Sequence, residues 1–99
     1  MIERVEFGEG ARTDYLDIVG HYASIREELG QSFTVAFQDA IEHIKALPYG
    51  WEQLPGGFRK KRIAGFPYIL VYRPEPSKVV VLAVFHAGRR PYFWLDRVQ

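Results

Sequence analysis

Apolar residues recur from Ala11 through Tyr15, Ile18, Tyr22 and Ile25 to Leu29 at alternating steps of four and three. That spacing puts them on one stripe of a helix, and Gly30 is well placed to stop it. A second segment opens at Gln31 or Ser32. It repeats the spacing through Phe33, Phe37, Ala40 or Ile41, Ile44 and Leu47, until Pro48 forbids continuation. So short a connection predicts an antiparallel helical hairpin. Ahead of it, Ile2, Val5 and Phe7 stand among charges as in a short edge strand, which Gly8 and Gly10 interrupt. Residues 49–57, with Pro55-Gly56-Gly57, read as loop.

Three β-rich runs follow, at residues 58–63, 68–73 and 78–86, separated by turn-forming stretches around Gly65-Phe66-Pro67 and Pro74-Glu75-Pro76. Short turns imply an antiparallel meander. The third run is apolar on both faces, as in a central strand with the hairpin covering one side. The expected fold is α+β in the order β-α-α-β-β-β, a helical hairpin on one face of a mainly antiparallel sheet. One domain spans residues 1–99, and its last segment is a turn or short helix pinned by Trp94.

Composition narrows the setting. At 47% hydrophobic and 15% aromatic the chain is too apolar to be disordered. It has no cysteine, which excludes disulfides, thiolate nucleophiles and cysteine zinc sites and makes the cytoplasm the default expectation. No apolar run approaches the roughly 18 residues of a membrane helix, and no signal-peptide core opens the chain. The net charge of +1 hides a division: residues 1–57 hold ten acids and four bases, residues 58–99 nine bases and two acids. A basic C-terminal half suits an anionic partner, either nucleic acid or an acidic protein segment. The plainer reading is lysine and arginine guarding a sheet edge.

Several stretches together resemble the RelE/ParE family of type II toxin–antitoxin toxins, and most closely its ParE-like, plasmid-stabilisation branch. They are Asp17-Ile18 with Tyr22, Leu29-Gly30 followed by Phe33 and Phe37, the helix end at Leu47-Pro48, and the meander. In the meander Phe66-Pro67-Tyr68-Ile69-Leu70-Val71-Tyr72-Arg73 leads to Val81-Leu82-Ala83-Val84-Phe85-His86, then Arg89-Arg90-Pro91 and Trp94-Leu95-Asp96-Arg97. The resemblance implies a growth inhibitor acting on DNA gyrase or another topoisomerase and neutralised by a cognate antitoxin. The alternative within the family is a ribosome-dependent mRNA endoribonuclease.

Metal-independent RNA cleavage needs a base for the 2′-hydroxyl proton, an acid for the leaving oxygen and cations over the phosphate. His86, Arg89 and Tyr92 are the candidates for that chemistry, and neighbouring cations favour the neutral imidazole. A histidine at a strand end that merely hydrogen-bonds is the competing explanation. Where the RNA-cutting branch commonly carries an arginine after the tyrosine opening the middle meander strand, this chain has Ile69. Tyr92, moreover, is only approximately in register with the catalytic tyrosine the resemblance implies.

For a binding protein the candidates are Arg59, Lys61, Arg89, Arg90 and Trp94. Alternation along a strand puts Arg59 and Lys61 on one face and Lys60 and Arg62 on the other. Arg89 and Arg90 offer bidentate contacts to phosphate or carboxylate. Trp94 either closes the core or anchors a partner. No His-x-x-x-His or Glu-x-x-His spacing suggests a metal, and no cofactor is expected.

Overall fold

The computed structural model describes residues 2–90 and 92–98. Strand β1 (Arg4–Phe7) leads into helices α1 (Glu9–Ile25) and α2 (Glu27–Ala46); β2 (Glu52–Gln53), β3 (Arg59–Arg62), β4 (Tyr68–Pro74) and β5 (Lys78–His86) follow, and a 3-10 segment spans Phe93–Val98. The sheet order is β1-β5-β4-β3-β2. β1 runs parallel to β5, and every other pairing is antiparallel. The expected α+β architecture, meander and central third strand are all present.

Two expectations need correction. Gly30 does not stop the first helix: the reversal comes at Arg26, whose extended backbone (φ −164°, ψ 136°) lets its N–H cap Tyr22 O while opening α2. Only one residue separates the helices, so the apolar spacing runs through the break as though uninterrupted. Gly30 instead lies in the second turn of α2, against α1. A Cβ there would meet Ala23 Cβ at 3.0 Å, so the missing side chain lets the two helices approach. Glu27 and Glu28 in the first turn of α2, with His43 and Lys45 in its last, match the helix dipole.

The second correction is β2, which lies inside the expected loop 49–57. Glu52 pairs with Lys60 and Gln53 with Arg59, and the hairpin closes through Leu54 N–H to Phe58 O at 2.8 Å. Two polar residues carry no alternation by which periodicity could reveal them.

The sheet buries both faces. On one, Phe33, Phe37 and Ile44 of the hairpin pack over Leu70, Tyr72 and Val81. Tyr72 is fully buried, its hydroxyl donates to Pro48 O at 2.8 Å, and burial pushes its pKa up to about 12. On the other face, Phe58, Val71, Leu82, Ala83 and Trp94 form a second core. A register shift makes this possible: Val71 pairs with Ala83 but Tyr72 with Val81, so Leu82 is an extra residue and consecutive side chains point the same way.

The bulge leaves backbone groups that β1, ending at Phe7, does not reach. Asp14 Oδ2 accepts from Val84 N–H at 2.9 Å, and Arg97 Nη1 donates to Leu82 O at 3.0 Å. Arg97 also grips Asp14 in a bidentate pair of 2.7 and 3.0 Å, which holds its pKa above the usual arginine value. It lies over Gly10, where a Cβ would come within 2.9 Å of the guanidinium. The C-terminal segment is thereby tied to α1 and to the central strand.

Candidate functional site: a basic-rimmed cleft on the second face

Cross-strand pairing decides which side chains share a face. Lys60 lies opposite Val71, and Ile69 opposite Phe85, all on the face away from the hairpin. With the 3-10 segment they enclose a cleft of about 150 Å³. Ile69, Val71, Phe85 and Trp94 form its floor, and Lys60, Arg89 and Tyr92 its rim. Trp94 is 2% exposed and meets Phe58 edge-on at 5.0 Å, so it supports the floor and does not project from it. Arg89 stacks 3.8 Å over the Phe93 ring, which meets Phe85 edge-on. Tyr92 is 46% exposed and holds φ at +62°, a left-handed conformation that costs a non-glycine residue about 1–3 kcal/mol.

The sequence-predicted site residues separate into three groups. Arg89 and Tyr92 share the cleft with Trp94 beneath them, whereas Arg90 is exposed beside it. Arg59 and Lys61 lie on the hairpin face, opposite Tyr72 and Leu70. Their alternation partner Lys60 is the strand cation that reaches the cleft, where it also pairs with Glu52 at 3.3 Å. The sequence offers Lys60 only as one of two alternating cation faces of β3, and Phe85 as a core residue. The parity of β3 was readable, but which parity faced which core was not.

His86 falls on the hairpin face, edge-on to Tyr68 at 5.6 Å, in a depression shared with Asp14, Asp17 and Arg89. Gly88 N–H donates to its Nδ1 at 3.0 Å. The neutral ring therefore carries its proton on Nε2, and its basic lone pair is engaged by the backbone. His86 and Tyr92 flank different depressions, with Arg89 between them.

A family model described as the ParE toxin of type II toxin–antitoxin system, parDE, matches residues 5–91. The chain belongs to the ParE toxin family. That span takes in α1, α2 and all of the sheet except Arg4 at the start of β1. Two solved structures share the ParE fold: a chromosomal ParDE TA system from P. aeruginosa, and a YoeB/ParE toxin from Agrobacterium tumefaciens. The first is 20% identical, has a TM-score of 0.61 and covers 86% of this chain and 96% of its own. The second is 18% identical, also at 0.61, and covers 85% and 98%. Comparison with curated proteins finds no match. Among the described residues of this ParE-family toxin, no helix is long and apolar enough to cross a membrane.

Proposed function

We propose that this toxin arrests growth by binding DNA gyrase or another topoisomerase, and that a cognate antitoxin neutralises it. The observation that carries the reading is the chemistry of the cleft. Its floor at Ile69 is apolar where phosphate cleavage calls for a cation, and His86 is turned to the other face with its lone pair occupied. What remains is a small apolar hollow ringed by Lys60, Arg89 and Tyr92, with Arg90 beside it, which suits a protein anchor with an acidic flank.

The antitoxin has a second foothold. Phe7, Tyr15, Leu16 and Phe37 line an apolar groove between β1 and the hairpin, beside Arg12. An antitoxin segment with apolar side chains in this groove and acidic ones over Arg89 and Arg90 covers hairpin and sheet together.

Ribosome-dependent mRNA cleavage is the second reading. It is favoured by the strained Tyr92, which lines the cleft with Lys60 and Arg89, whereas His86 lies on the other face with its Nδ1 engaged by Gly88 N–H. Induction of the toxin in a bacterial host separates the two. Arrest relieved by Lys60→Glu with Arg89→Glu and undiminished by His86→Ala is the expected result. Arrest abolished by His86→Ala, with the protein still folded, contradicts the binding reading.

A further inference from the structure

The hairpin face of β3 carries cations that the protein does not neutralise. Elsewhere in the basic half, Lys60, Arg73, Lys78 and Arg97 each meet a carboxylate, at 3.3, 2.8, 3.1 and 2.7 Å, whereas Arg62, Arg89 and Arg90, which meet none among the described residues, are exposed. Among the described residues, no carboxylate comes within ion-pair distance of Arg59 or Lys61, although both are partly buried. They are held by aromatic rings instead. Lys61 Nζ stands 4.1 Å over the Trp51 ring, and the Arg59 guanidinium 5.6 Å from the centre of the Tyr49 ring. Arg59 also donates to Trp51 O at 2.8 Å, and the Trp51 indole N–H to His43 O at 3.2 Å. Tyr49 nevertheless remains 58% exposed.

We propose that Tyr49, Trp51, Arg59 and Lys61 form a docking surface for a single-stranded nucleic-acid segment. Two residues apart on a strand face, Arg59 and Lys61 stand about 6.6–6.8 Å apart along the chain, a spacing suited to successive phosphates of an extended strand. Partly desolvated cations without a carboxylate favour an anion brought from outside. Tyr49 adds an exposed ring on which an unpaired base stacks. A duplex presents no such base, so the surface favours a single strand. The proposal goes beyond the topoisomerase reading and does not depend on it, because naked oligonucleotide is the probe.

Fluorescence anisotropy with the full chain and labelled oligothymidylate tests it. Binding is expected, with oligouridylate bound equally well because the surface offers no group that selects the sugar. Arg59→Gln with Lys61→Gln, which keeps bulk while removing charge, is expected to weaken binding at least tenfold. It should also lower the slope of log affinity against log salt by about 1.4, at about 0.7 per phosphate contact. Tyr49→Ala, at an exposed position, should weaken binding about tenfold without changing thermal stability. Arg4→Gln with Arg26→Gln removes the same charge elsewhere and should change affinity less than twofold. Absence of binding, equal loss with the Arg4 and Arg26 pair, equal affinity for duplex, or equal competition by polyglutamate would each overturn the proposal.

Discussion

Replacing Arg97 by Met keeps the unbranched apolar stem of the side chain and removes its guanidinium. Three hydrogen bonds go with it, two to Asp14 and one to Leu82 O, while Asp14 keeps its bond from Val84 N–H. The pair is neither surface nor core, with side chains 30% and 17% exposed. Breaking a fully buried pair costs about 3–5 kcal/mol and an exposed one about 0–1 kcal/mol. The expected loss is therefore about 2–3 kcal/mol, or roughly 10–20 °C in Tm for a domain of this size. Arg26 is the control: its contact with Glu28 is 3.7 Å long between side chains 67% and 73% exposed. Arg26→Met should cost less than about 0.5 kcal/mol. Urea unfolding followed by circular dichroism and tryptophan emission measures both, and an unchanged slope against urea assigns the difference to stability. Arg97→Met should also shift the emission to the red, because the segment carrying buried Trp94 loses its tie to α1. Equal stability of the two variants, within about 0.5 kcal/mol, would refute the clamp.

Two glycines within the helices should respond with opposite signs. Gly20→Ala, with nothing within 4 Å of the new Cβ, should stabilise by up to about 1 kcal/mol through helix propensity. Gly30→Val, forced against Ala23, should cost about 1–3 kcal/mol through overpacking; thermal unfolding of both variants checks the contrast. Tyr72 predicts a response to alkali. Its folded pKa of about 12 lies above the ordinary value of 10, so the unfolded chain gives up this proton first. The contribution is fully present below pH 10 and is lost as pH rises from 10 to 12, by at most about 2.7 kcal/mol at 1.36 per pKa unit. Tyr72→Phe should flatten that part of the stability profile, and parallel profiles for the two proteins would contradict a raised Tyr72 pKa in the folded state.

The parts of the fold legible in sequence are those with repeated signals. The 3.6-residue period of Phe33, Phe37 and Ile44 marked the buried face of α2, and the doubly apolar run Val79–Phe85 marked a central strand. Single-residue events were not legible. Arg26 reverses the chain without disturbing the apolar period, and the extra residue Leu82 swaps the faces of β5 partway along, so that Leu82 and Ala83 share a core. The same swap puts His86 on the hairpin face and Phe85 in the cleft. Counting outward from Arg59 correctly paired it with Lys61, yet only the contact of β4 with the hairpin shows that Lys60 reaches the cleft. The clamp between Asp14 and Arg97 joins positions 83 residues apart, beyond the reach of any local pattern.

Purified toxin in a gyrase supercoiling assay, run beside cell-free translation at the same concentration, distinguishes a topoisomerase target from the ribosome. Inhibition of supercoiling that a Lys60→Glu, Arg89→Glu variant loses and a His86→Ala variant retains, with translation unaffected, is the expected result. Unimpaired supercoiling together with ribosome-dependent cleavage of mRNA would contradict it.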